Sequence, residues 1–75
     1  MSTTVASQTP KVDRPKQPLH ALTTYELRDY RRDLERAFAF FDRQIPVPPA
    51  RDRLQAKLDD VIAEQDDRAW LATHG

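Results

Sequence analysis

From Leu22 onward, apolar residues return every three or four positions along two long stretches, interrupted once by a short run rich in proline. In the first stretch Leu27, Tyr30, Leu34, Ala37, Phe38 and Phe41 keep to such steps, with Arg28, Asp29, Arg31, Arg32, Asp33, Glu35 and Arg36 between them. That spacing gathers the apolar side chains on one face of a helix and spreads the charges over the rest. The start of this helix is marked three ways. Thr23 can cap it, Glu26 stands three residues on to complete the capping box, and Leu22 and Leu27 occupy the two positions of a hydrophobic staple. The pattern predicts a helix over about 23–43.

"QIPVPPA", residues 44–50, ends it. Pro46 disfavours helical geometry at Ile45, and Pro48 and Pro49 stiffen the rest of the run. With no glycine in it, the link over 44–49 is expected to be extended and rigid, with Ile45 and Val47 folding back over the end of the core. Pro49 or Ala50 then opens a second helix over about 50–72, since proline is tolerated in a first turn. Its stripe is Leu54, Leu58, Val61, Ile62, Gln65, Ala69 and Ala72, broadened late by Trp70 and Leu71, and it is expected to fray around Thr73.

Two helices joined by so short a link should lie antiparallel. The fold class expected is therefore all-α: a two-helix hairpin over 22–75. The charges suggest the same orientation. Arg28, Arg31 and Arg32 lie early in the first helix, and Asp59, Asp60, Glu64, Asp66 and Asp67 lie late in the second, so ion pairs between them would select the antiparallel arrangement. Residues 1–21 carry three of the six prolines and almost no large apolar side chains, and are expected to form a disordered leader. Within it "PKQP", Pro15 to Pro18, matches the PxxP pattern of extended ligands, although a solvated leader is the plainer reading.

A hairpin of this size is short of cover. Each amphipathic stripe buries one side against its neighbour, and a second layer is missing. Domains this small usually rely on disulfides, metals or association, and the chain has no cysteine. Phe38, Phe40 and Phe41 point in adjoining directions around one turn, so one neighbouring helix is not expected to cover all three. Tyr25, Phe40 and Trp70 fall off the tightest stripe. These features predict a partner-binding face anchored by Tyr30, Leu34, Phe38, Phe40, Phe41 and Trp70. The partner is expected to be another protein, or a second copy giving a homodimeric four-helix bundle.

Composition narrows the alternatives. Twelve basic and twelve acidic residues cancel, so bulk charge draws the chain to neither nucleic acid nor an anionic membrane. No stretch is apolar enough to span a membrane and no secretory signal opens the chain, so a cytoplasmic protein is expected. Arginine is abundant and lysine scarce in both helices, a composition typical of GC-rich bacterial chains. His20 stands in the expected leader and His74 one residue from the end, so neither is expected on a rigid element of the kind that catalytic or metal-binding roles require. No HExxH, EF-hand or glycine-rich phosphate motif is present. Asp59, Asp60 and Glu64 could lend oxygens to a cation, but an acidic, solvated helix face explains them as well. The expectation is thus no catalysis, no metal and no cofactor. The one feature suited to nucleic acid is the ridge Arg28, Arg32, Arg36, with Arg31 beside it. It is interleaved with acids and lacks the third helix of a helix-turn-helix. Contact with nucleic acid through that ridge is the second reading.

Overall fold

The computed structural model describes residues 11–74. Two helices account for most of them: α1, Thr24–Asp42, and α2, Ala50–His74, preceded by a single 3-10 turn at Leu19–Ala21. They pack against each other as an antiparallel hairpin, and no strand occurs among the described residues.

α1 starts where its capping signals place it. Glu26 N–H donates to Thr23 Oγ1 at 3.1 Å, and Thr23 N–H donates to Glu26 Oε1 at 2.8 Å, so both halves of the box are formed. Leu22 and Leu27 close the staple and are buried together. Leu27, Leu34, Leu58 and Val61 form the centre of the core, flanked by Tyr30, Phe38 and Leu54. Ala37 is buried as well, its small side chain letting the helices approach. At its other end α1 closes with Arg43 N–H donating to the Phe40 and Phe41 carbonyls, and Gln44 Nε2 also donates to the Phe40 carbonyl.

The link departs from expectation. Ile45 is 97% exposed and Val47 is 44% exposed, so neither folds over the core. Its prolines fix φ and remove backbone donors, and its backbone is tied to both helices: Gln44 N–H donates to the Phe41 carbonyl, and the Pro48 and Pro49 carbonyls accept from Arg51 and Asp52 N–H. What closes this end is polar. Arg51 Nη1 donates to Asp42 Oδ1 at 2.7 Å, tying the last residue of α1 to the first turn of α2. Arg51 also lies over the Phe38 ring, 5.6 Å from its centroid.

α2 runs two residues past its expected end. The Thr73 hydroxyl donates to the Trp70 carbonyl at 3.0 Å, and His74 stacks on the Trp70 ring at 4.4 Å. These contacts hold a last turn that the sequence alone leaves to fray.

Nor do long-range ion pairs select the orientation. Among the described residues, none joins Arg28, Arg31 or Arg32 to the acids late in α2. Arg31 pairs with Glu35 on its own helix and reaches α2 through Gln65, at 2.6 Å. Glu64 is held by Arg68, four residues on. The short link and the facing apolar stripes suffice to set an antiparallel pair.

Of the leader, residues 1–10 lie outside the described residues; in its second part Val12 and Leu19 pack against the core of the hairpin. They supply part of the missing layer.

Candidate functional site

The distribution of uncovered apolar surface singles out the two ends of the hairpin. Five large hydrophobic residues are exposed: Tyr25, Ile45, Val47, Trp70 and Leu71. Ile45 and Val47 stand in the link. Tyr25 is in the first turn of α1, and Trp70 and Leu71 are near the end of α2, which antiparallel packing brings to the opposite end. No large hydrophobic residue of the described midsection is exposed.

The open end, where α1 begins and α2 finishes, is organised by Arg68. Its Nη2 donates to the Leu22 carbonyl at 2.8 Å and the Leu19 carbonyl at 3.1 Å, while Nε donates to Glu64 at 2.9 Å. One guanidinium therefore satisfies carbonyls in the turn before α1 and fastens that turn to α2. With Arg68 and Glu64 facing inward, Trp70 and Leu71 are carried round to the outside. Trp70 is 58% exposed with His74 stacked on it, and Leu71 is equally exposed. Tyr25 is 69% exposed and has Arg28 over its ring at 5.1 Å.

At the loop end, Phe40 and Phe41 meet edge to face, 5.3 Å apart. Both are half-buried, as is Phe38. With Ile45 and Val47 they leave an apolar margin around the link.

Between the ends, the leader crosses α1 and encloses an open cleft of about 510 Å³. Glu26, Asp29, Tyr30 and Asp33 line its helical wall, and Asp13, Arg14 and Lys16 lie on the leader side. Burial raises the Tyr30 pKa above the ordinary tyrosine value; Arg14 opposes that shift and Asp60 adds to it. Tyr30 is consequently a neutral phenol across the physiological range. The hydrogen bond to Asp42 raises the Arg51 pKa, which leaves that guanidinium charged at any ordinary pH.

The expected partner-binding residues therefore separate into groups. Leu34 is wholly buried in the hairpin's own core and offers no outward surface. Tyr30 and Phe38 pack on that core, Tyr30 facing the leader and Phe38 lying beneath Arg51. Phe40 and Phe41 keep part of their surface, and Trp70 most of it. Ile45, Val47 and Leu71 face outward without having been expected as anchors. For Leu71 a signal exists in the sequence: it lies well off the direction shared by Leu58, Val61 and Gln65. For the link there is none, because an apolar residue between prolines reads equally as cap or margin.

The arginine ridge also has a definite place. Asp29 and Asp33 line the cleft, and Glu35 pairs with Arg31. Arg28, Arg32 and Arg36 are exposed, Arg28 within 3.7 Å of Asp29 and Arg36 within 4.0 Å of Asp33. His20 lies in the 3-10 turn. Among the described residues no helix is long and apolar enough to cross a membrane, and no three His, Asp or Glu side chains are grouped to hold a metal ion. No family model, no curated protein and no solved structure matches this chain.

Proposed function

We propose that this protein is a small, non-catalytic interaction module that buries apolar surface at the ends of its hairpin against a protein partner. The observation that carries the reading is the position of the exposed hydrophobic residues: all five lie at the ends, while the midsection covers its own. Scattered exposed apolar residues are ordinary on a protein surface. Their gathering at two places is what points to a partner. Phe40, Phe41, Ile45 and Val47 serve as anchors at the loop end, and Trp70 and Leu71 at the open end.

The chain's one tryptophan provides the test. Trp70 emission is expected to shift to the blue as it leaves water on binding or assembly, and Ile45→Ser or Leu71→Ser should weaken that shift while leaving the helical signal intact. Emission that keeps its exposed character under every condition in which the protein acts would reject the reading.

A second reading draws on the exposed face of α1. Arg28, Arg32 and Arg36 share that face; Asp29 lies within 3.7 Å of Arg28 and Asp33 within 4.0 Å of Arg36, while Arg32 belongs to no ion pair among the described residues. Contact with nucleic acid through this ridge would weaken steeply with salt. Arg32→Glu with Arg36→Glu should abolish it and spare apolar docking.

A further inference from the structure

The two ends differ in charge as well as sharing exposed apolar groups. The loop half, residues 36–57, carries five basic side chains against two acidic ones. The open half, residues 19–35 with 58–74, carries four basic against nine acidic. The chain is neutral as a whole only because these opposed halves, together with the leader, cancel. Hairpin packing is what makes this polarity spatial, since each half draws on both helices.

We propose that the occupant of these ends is a second copy of this chain, docked antiparallel so that the loop end of each lies on the open end of the other. This rests on the interaction-module reading and names its partner. Two observations favour a second copy in that orientation, and symmetry adds a third argument. First, charge: antiparallel docking sets the basic half of each copy against the acidic half of the other, whereas parallel docking opposes like with like. Charge complementarity of this kind orients an encounter more than it holds it. Second, apolar matching: Ile45 and Val47 of one copy come to Trp70 and Leu71 of the other, so each exposed cluster meets a cluster instead of water. Third, closure: the two ends of one copy are as far apart as those of the other. A two-fold axis through the midsection therefore makes both contacts at once and leaves no end free to recruit a third chain.

Arg43 and Arg53 on the loop half, and Asp66 and Asp67 on the open half, are exposed and belong to no ion pair among the described residues. They can be reversed without disturbing the hairpin's own contacts. Arg43→Glu with Arg53→Glu should weaken self-association by roughly tenfold or more, because acidic ends then face each other. Asp66→Lys with Asp67→Lys should weaken it too, because the open half then loses most of the acidic excess that draws the basic loop half. Mixing the two variants should restore association as a heterodimer.

Orientation is read separately. The chain has no cysteine, so Ile45→Cys and Leu71→Cys can be mixed and oxidised. The antiparallel pair yields 45–71 cross-links in excess of 45–45 and 71–71. A dimer that cross-links 45 to 45, or that tightens as salt rises, overturns the proposed orientation. Sedimentation of the wild-type chain over a concentration series separates the remaining failures. A monomer that melts without cooperativity overturns the second copy alone and leaves a different protein as occupant. A monomer that melts sharply overturns both this proposal and the reading beneath it.

Discussion

The two ends of the hairpin are closed by different means. At the open end a capping box, a hydrophobic staple and the Arg68 clamp converge on one corner: Thr23 and Glu26 exchange hydrogen bonds, Leu22 and Leu27 are buried, and Arg68 gathers carbonyls from the preceding turn. At the loop end a single Arg51–Asp42 side-chain hydrogen bond at 2.7 Å spans the helices, and Ile45 and Val47 of the proline-rich link are exposed. Both ends still leave large apolar side chains in water. Local closure and apolar cover are therefore separate matters. Polar groups can satisfy a backbone and fasten a segment without hiding the hydrophobic residues beside it.

That contrast can be broken or sharpened by substitution. The largest effect should come from the midsection, which both ends share. Leu34 is wholly buried, so Leu34→Ala should lower stability by about 2–5 kcal/mol in thermal or denaturant unfolding and loosen the two ends together. Arg68→Met should come next, at about 1–3 kcal/mol, because it strips partly buried carbonyls and Glu64 of their donor. Its signature is regional: amide exchange should quicken around residues 19–22 and stay unchanged at the loop. Arg68→Lys should not rescue it, since an ammonium lacks the planar fork that reaches several acceptors at once. Thr23→Ala removes one half of the capping box and should cost about 1 kcal/mol, again at the open end.

A pH effect should be smaller and confined to alkaline solution. Tyr30's pKa is raised in the folded chain, chiefly by burial. The folded state thus holds the phenolic proton more tightly than the unfolded chain does. The associated stability is complete below about pH 10, the ordinary tyrosine value, and is lost as pH rises through Tyr30's higher folded value. Tyr30→Phe should remove that part of the alkaline decline. Smallest of all, Ile45→Ser should leave the monomer's unfolding within about 0.5 kcal/mol of wild type, because the side chain touches little of its own chain.

Much of this molecule can be read from its linear pattern. Periodicity at three and four locates both helices, the Thr23–Glu26 box marks the start of α1 to the residue, and "QIPVPP" marks its end, because each signal depends on neighbours within a turn or two. Absence of cysteine and the balance of charge are likewise matters of composition. The candidate anchors are legible as a class, aromatic and apolar residues in excess of what one neighbouring helix covers, but not one by one. Leu34 belongs to that class by its spacing and yet closes the core, since a stripe shows which residues share a face and not which of them the facing helix will reach.

Tertiary structure decided the remainder. Arg68 meets acceptors 46 and 49 residues away in sequence, and no local pattern encodes such a contact. Whether Ile45 and Val47 turn inward depends on where a stiff link leaves one helix and joins the next. Whether the leader covers Tyr30 depends on a surface that exists only once both helices are packed. Propensity and periodicity are properties of neighbours along the chain, whereas exposure and charge polarity are properties of neighbours in space. Only the folded hairpin brings residues 19–35 and 58–74 together as an acidic end and sets it opposite the basic stretch 36–57.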